Sequence, residues 1–452
     1  MSQEGLSERV DTLVIGAGIS GLAFAQALGP EADVLVVDGA EREGGWLRSE
    51  SVAAEPGARF EIGAEALSDP EGRLAALCET CGIETIRASA SAQRRYLVAR
   101  GELVALPQSP RGMLATRLLS TSGKLRALSE FFRDPRIALE GSIADFVRHR
   151  FGREVLETFV DPFVSGVHGG DPELVSLRAA FPALAAMVEE HGSVLRGLSR
   201  RKKSKGPALF KPRGGMQRLP EGLARNLGAR LRLRAAVSEL ARTGDGFVAT
   251  SAAGRIHARR VVVATDRSRA VTLLSQVAPM ASRELAGMSA ENLVAVIHGW
   301  DRERVAHPLD GFGFLAPSSQ RLATLGTLFS STIDPDCAPL GQVVLRTLLG
   351  GARRAALIDE TDAQLIATVL QENSRLLGIS GAPRWTRVLR YRGAIPRYDL
   401  DHPRRVAAIA ADVAREPGLA LLGNAISGPG VGALVARATE LARHQSQSGP
   451  GR

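Results

Sequence analysis

The stretch from Thr12 to Asp38 constrains this chain more than any other. Thr12-Leu-Val-Ile15 is a short apolar strand. Gly16-Ala-Gly18-Ile-Ser20-Gly21 is a Gly-x-Gly-x-x-Gly turn that opens a helix. Val34-Leu-Val-Val37 is a second strand, and it ends in Asp38. Each piece has a mechanical use in a dinucleotide-binding βαβ unit. Gly16 allows the tight turn, Gly18 admits a pyrophosphate against the backbone, and Gly21 lets helix and strand pack closely. Free N–H groups at the helix start, Ser20 among them, attract the anion. Asp38 lies about twenty residues on, where a ribose 2′-hydroxyl needs an acceptor. A Gly-x-Gly-x-x-Gly alone would be weak; with strand, helix and acid it reads as a nucleotide site.

The acid disfavours a 2′-phosphate and leaves NAD or FAD. Gly44-Gly45 and Arg48 follow the second strand, suited to a further bend against a cofactor with a guanidinium near its phosphates. Far along the chain, Leu419-Ala-Leu-Leu-Gly423-Asn424 reads as another strand. Ser427-Gly-Pro-Gly430-Val431-Gly432 is another glycine turn opening a helix. Amides at that helix start can stabilise negative charge on a reduced flavin ring. Soluble nicotinamide enzymes have little use for this second turn, so FAD is the better reading.

A chain of 452 residues with 44% hydrophobic content can bury large cores. Its net charge of +9 permits anionic partners without choosing among them. Only 4% of residues are aromatic, too few for the stacking that single-stranded nucleic acid requires, so no nucleic-acid role is expected. Met1–Asp11 lacks the pattern of a signal peptide and no run is apolar enough to span a bilayer, so a cytoplasmic location is expected. Cys78 and Cys81 form a C-x-x-C. With Leu74 and Leu77 they share one helical face, and Gly82 is a stop signal, which favours a helix burying small thiols over a redox or metal site. No metal site is expected, and no nucleophilic triad is visible.

The order of elements predicts an α/β chain. Its Rossmann-type FAD-binding domain is discontinuous, over 10–68, 210–285 and 395–445, with Val237 among the residues expected to bind the cofactor. A mixed α+β substrate domain covers 69–111 and 286–394, including a hairpin centred on Arg100-Gly101. Residues 112–195 read as a helical insertion. There Met113, Leu114, Leu118, Leu119, Leu125, Leu128, Phe131 and Phe132 alternate with Arg117, Lys124, Arg126 and Arg133, a pattern suited to a membrane surface or to an ordinary basic helix pair. Residues 196–213, with Arg200-Arg-Lys-Lys-Ser-Lys205, Lys211 and Arg213, read as a basic flexible linker.

Four segments resemble the protoporphyrinogen oxidase family of the FAD-dependent amine-oxidase superfamily. They are the nucleotide fingerprint with Gly44-Gly45 and Arg48; Asp161 to Phe181; Gly214-Gly-Met-Gln-Arg-Leu-Pro220; and His307 to Pro317 continuing through Leu325 to Ser331, with Leu349-Gly-Gly351 and Gly423-Asn424 beyond. The resemblance implies oxidation of protoporphyrinogen IX to protoporphyrin IX, six electrons leaving in three flavin reductions with O₂ as acceptor. It implies a helical membrane-binding region, and so a peripheral place on the inner face of the cell membrane. A homodimer is left open. By resemblance Arg95 meets a propionate, and Leu315, Leu328 and Leu348 wall the ring, with Leu348 standing where a Phe is usual. Gly170 lies on the substrate side and His168 serves as a shape residue. No side chain is assigned the chemistry, which the flavin carries. Where the family usually reads Gly-Pro-Asn-Ser/Thr, this chain has Gly63-Ala64-Glu65-Ala66. Glu65 would oppose a reduced anionic flavin unless neutralised. A related oxidase or desaturase acting on coproporphyrinogen, an amine, a carotenoid or a specialised metabolite is the alternative. A flavin- or tetrapyrrole-holding protein without turnover is the third.

Overall fold

The computed structural model describes residues 7–133, 139–200, 209–428 and 430–447. Two large sheets organise them. In the first, strand Ser7–Ile15 lies between Val34–Val37 and Gly254–Val263, parallel to both. Gly254–Val263 also carries Leu419–Leu421, again in parallel. Pieces far apart in sequence thus close one sheet, as the apolar runs at 12–15, 34–37, 260–264 and 419–422 require. Such runs are buried on both faces, the signature of a parallel sheet. The helix Ile19–Leu28 and the closing helix Val431–Gln447 pack against each other on one side. Val431, Leu434, Val435, Ala438, Leu441 and Ala442 of the closing helix join the core there, as their spacing predicts.

The second sheet has the order Trp385–Pro396, Ala290–Asp301, Gln342–Gly350, Thr324–Phe329, Gly313–Leu315, Tyr96–Ala99 and Glu102–Ala105. The last two form the expected hairpin, with Arg100 and Gly101 both at positive φ (54° and 81°) as a tight two-residue turn demands. Helix Asp362–Leu377 covers one face through Leu365 and Val369, which pack on Val294, Val296 and Leu349. On the opposite face Leu293, Ala295, Ile297 and Val344 pack with Val52, Ala58 and Phe60. Cys78 and Cys81 are buried free thiols on and just after the helix Arg73–Thr80. Burial pushes the Cys78 thiol up to about 12, an inert group rather than a redox one.

The insertion is helical, as expected, but its pattern resolves unevenly. Leu118 and Leu119 turn inward, whereas Met113, Leu114, Leu125, Leu128 and Phe132 stay exposed. Arg126 is no surface cation. Its guanidinium donates to the carbonyls of Arg150 (2.8 Å) and His149 (2.5 Å), closing the end of helix Ile143–Arg150.

The linker differs from expectation. Val194–Arg200 is helical and Phe210–Pro212 is a strand paired with Thr85–Arg87. The basic run from Arg201 to Lys205 lies outside the described residues. Lys211 is only 2% exposed, and its ammonium lies 2.8 Å from Glu61 and 3.0 Å from Asp334. Asp334 also pairs with Arg59 at 2.8 Å. Burial penalises the Lys211 charge, but these carboxylates outweigh it and the ammonium is held above its ordinary range. Four lysines and four arginines within eighteen residues suggested solvent; a lysine among buried acids obeys the opposite rule.

Candidate active site

The glycine turn has two kinds of glycine. Gly16 sits at φ +117°, and a methyl there would strike the Ala264 carbonyl; a methyl on Gly21 would strike the Gly16 carbonyl. Both are demanded by the fold. Gly18 is different. Its φ of −71° and ψ of 174° suit any residue, and a Cβ would meet nothing within 4 Å. The space beside Gly18 therefore has no use in the packing of the chain. It lies at the start of helix Ile19–Leu28, which has no side-chain cap, so its first N–H groups are free for an anion. Ser20 is buried in the first turn. Gly44 bridges to Gly18, and a Cβ on Gly45 would lie 3.6 Å from the Gly18 Cα, so the second glycine pair closes the same cradle.

Asp38 ends the second strand. Its carboxylate accepts from the N–H groups of Ala17 (2.7 Å) and Ala40 (2.8 Å), which orient it beside the turn. Each oxygen keeps a lone pair for a ribose hydroxyl. Val237 is buried in the sheet core. The segment just before it is tied to Asp38, Ala235 N–H donating to the Asp38 carbonyl at 2.8 Å. Arg48 pairs with Glu50, and its buried Nε has no acceptor among the described residues. Gln217 Oε1 and Ser427 Oγ are likewise buried and unpartnered. Polar atoms rarely lack partners when buried, and here three flank the cradle. At the far end, Gly423 precedes the short helix Asn424–Ser427. The Asn424 carbonyl accepts from Tyr398 Oη at 2.5 Å and its amide donates to Ala394 at 3.4 Å. Gly430 is open, and Val431 starts the closing helix. The open cradle, the uncapped helix start and the unpartnered polar atoms fit a dinucleotide lying from Asp38 toward Asn424.

The second sheet brings the three leucines together. Leu315 pairs with Gly326, Gly326 with Leu348, and Leu328 with both Gly313 and Arg346. Paired and i±2 positions share a face, so Leu315, Leu328, Leu348 and Arg346 line one surface, with Gly313 and Gly326 leaving a gap between them. Helix Asp161–His168 covers one end, its Gly166 pressed against the Leu315 side chain. Arg95 lies at the rim, beside Tyr96–Ala99. It is exposed, stacks over the Phe312 ring at 5.3 Å, and has no carboxylate partner among the described residues. Its neighbour Arg94 is bound to Asp310. His168 packs edge-on to Phe181 at 5.3 Å. Burial lowers it to about 4, so it is a neutral ring at neutral pH. Gly170 is buried, and a Cβ there would face Val175 (2.9 Å) and Val164 (3.6 Å) of the helical core.

Glu65 is buried and paired with Arg346 at 3.3 Å. Arg346 also donates to the Gly63 carbonyl (2.8 Å), the Ile62 carbonyl (3.2 Å) and Tyr391 Oη (3.0 Å). The charge flagged at Glu65 is therefore neutralised by a residue that the sequence reading passed over. The available signal was parity: Arg346 sits two residues before Leu348 in an otherwise uncharged strand.

Comparison with known proteins agrees with this construction. A model of flavin containing amine oxidoreductases matches residues 19–447. The mitochondrial protoporphyrinogen oxidase of Nicotiana tabacum is 31% identical over 93% of this chain and 91% of its own length. The coproporphyrinogen III oxidase of Bacillus subtilis is 25% identical over 93% and 94%. A solved structure from Exiguobacterium sp. 255-15 shares the fold at a TM-score of 0.82, with 22% identity and 99% of each chain covered. Putrescine oxidase shares it at 0.72, with 17% identity and coverage of 98% and 100%. The chain belongs to the flavin-containing amine oxidoreductase family and is an FAD-dependent oxidoreductase.

Proposed function

We propose that the protein oxidises protoporphyrinogen IX to protoporphyrin IX, with O₂ as the terminal acceptor. The observation that carries this reading is Arg95, an unpaired cation at the rim of a leucine-walled slot. A reduced tetrapyrrole needs both an apolar slot for its macrocycle and a cation for a propionate. Bound FAD supplies the hydride acceptor, three two-electron oxidations making the aromatic ring and reducing three O₂ to three H₂O₂. The side chains orient and enclose. Leu315, Leu328 and Leu348 hold the ring flat, Phe312 stiffens Arg95, and neutral His168 with Phe181 fills the wall under helix Asp161–His168 without supplying a proton. The tobacco relative's name supports protoporphyrinogen; the Bacillus relative's name supports coproporphyrinogen, a tetracarboxylate. One unpaired arginine suits the ring with fewer carboxylates.

Anaerobic mixing of the holoenzyme with protoporphyrinogen IX is expected to bleach the flavin band and raise porphyrin fluorescence. Higher kcat/KM for coproporphyrinogen III would overturn the substrate assignment. Arg95→Ala is expected to raise KM about tenfold or more, the value of a charge-assisted contact, while FAD content stays unchanged.

The exposed apolar side chains of the helical segment support lipid contact. Phe132 is 89% exposed and Leu125 66%, with Arg111 and Arg117 exposed beside Met113 and Leu114. No helix among the described residues is long and apolar enough to cross a membrane, so the contact would be interfacial. Co-sedimentation with anionic vesicles should fall about tenfold or more in Leu125→Ser/Phe132→Ser, each side chain being worth about 1.5–3 kcal/mol when buried. Equal sedimentation of both proteins would remove the membrane reading.

A further inference from the structure

Arg346 is a buried guanidinium on a leucine surface, and the packing of the sheet gives no reason for it. Its strand neighbours on that face are Leu328 and Leu348, and across the sheet it opposes Ile297. An apolar residue would fill the place at no electrostatic cost. The group is nevertheless held firmly. Four acceptors receive its two terminal nitrogens, Tyr391 is itself fixed to the Ile62 carbonyl at 2.5 Å, and Glu65 supplies the countercharge. Its Nε–H is buried and has no acceptor among the described residues.

The position of this group follows from contacts already described. Gly18, at the phosphate end of the cradle, bridges to Gly44, the residue before Gly45. Trp46 follows Gly45, and its carbonyl presses on Gly63 so closely that no side chain fits there. Gly63 in turn receives Arg346. Ala64, the next residue, packs in the same core as Val431 at the start of the closing helix. The 62–65 loop therefore lies between the turn that follows the phosphate cradle and the core that the closing helix joins, on the side where a dinucleotide reaching from Asp38 toward Asn424 would lie. Other charges near it cancel among themselves, Glu61 and Asp334 being met by Lys211 and Arg59. The Glu65–Arg346 pair is left as the tunable one.

We infer that Arg346 is the positive group that stabilises the negative charge gained by the bound flavin on reduction, and that Glu65 sets the strength of that effect by partly cancelling it. This rests on FAD occupying the cradle and not on which substrate is oxidised. The two carboxylate and guanidinium charges act with opposite sign, which a merely structural pair would not do.

The test uses purified holoenzymes and two readouts independent of turnover: the flavin midpoint potential and the dissociation constant for sulfite, which adds to the ring and leaves it negatively charged. Flavin content is measured first and tests the cofactor reading by itself. Glu65→Gln is expected to tighten sulfite about tenfold and raise the potential by about 30 mV, the two-electron equivalent of tenfold. Arg346→Met is expected to shift both readouts by similar amounts in the opposite direction. Glu65→Gln/Arg346→Met, which removes both charges, should return close to the parent protein, and Arg346→Lys should stay within about threefold of it. Should Arg346→Met fail to fold, the sign of the Glu65→Gln shift decides. No shift, or a shift toward weaker sulfite, overturns the inference, as would shifts of the same sign in both single variants.

Discussion

Gly18→Val is expected to yield a folded, colourless protein. The backbone at Gly18 is ordinary extended chain, and a Cβ there meets nothing within 4 Å. Strain and packing therefore give valine no penalty beyond a few tenths of a kcal/mol typical of neutral sites, about ±0.5 kcal/mol. The cost falls on the ligand. A branched side chain would fill the gap where the pyrophosphate approaches the free N–H groups of the helix start, and retained FAD should drop at least about a hundredfold, the scale of a lost group of charge-assisted hydrogen bonds. Gly21→Val is the control with the opposite outcome. Its side chain would enter the Gly16 carbonyl and Val14, and the chain should not fold stably. Flavin absorbance per protein, read beside a thermal melt, separates the two. A yellow Gly18→Val protein would show that this cradle is not where the cofactor binds.

Glu130→Ala is expected to be the most destabilising single change in the helical segment. Glu130 and Arg150 are both wholly buried and 2.6 Å apart. The Glu130 carboxylate also accepts from Ser193 Oγ (2.5 Å) and the N–H groups of Val194 (2.9 Å) and Leu195 (3.2 Å), capping the start of helix Val194–Arg200. Truncation takes a buried carboxylate away from Arg150 and leaves the Ser193 hydroxyl and two amides without their acceptor, a loss of about 3–5 kcal/mol. Burial pushes the Glu130 carboxyl up, but its donors outweigh that and hold it below its ordinary value. The contribution is therefore complete above a carboxylate's usual pKa of about 4.3 and is lost as pH falls below it. Denaturant unfolding at pH 7 and at pH 3 should show the variant's deficit shrinking on acidification. An equal deficit at both values would mean that the charge contributes nothing.

How far the molecule was legible beforehand depended on the range of the forces involved. The βαβ unit, the hairpin at Arg100-Gly101, the thiol-burying helix and the closing helix are written in local spacing, and the structure has each of them. The convergence of Leu315, Leu328 and Leu348 came from resemblance and not from spacing, because strand register across Gly313 and Gly326 has no local signature. Lys211, Arg126 and Arg346 were misread or missed for one reason. A cation looks the same in sequence whether water or a buried carbonyl surrounds it, and its partners here lie 150, 24 and 281 residues away. Leu118 and Leu119 show the converse, an apolar pattern shared between a core and an exposed face.

The buried quartet of Arg59, Glu61, Lys211 and Asp334 has a consequence for traffic. It ties strands Arg59–Glu61 and Phe210–Pro212 to Asp334, just beyond helix Ser330–Ile333, with charges that cannot be parted without leaving unmatched ions in a dry interior, a penalty of several kcal/mol per ion. Separating those elements therefore carries that penalty, and on the proposed reading a bulky guest enters and leaves sideways, between Arg95 and the helix Asp161–His168.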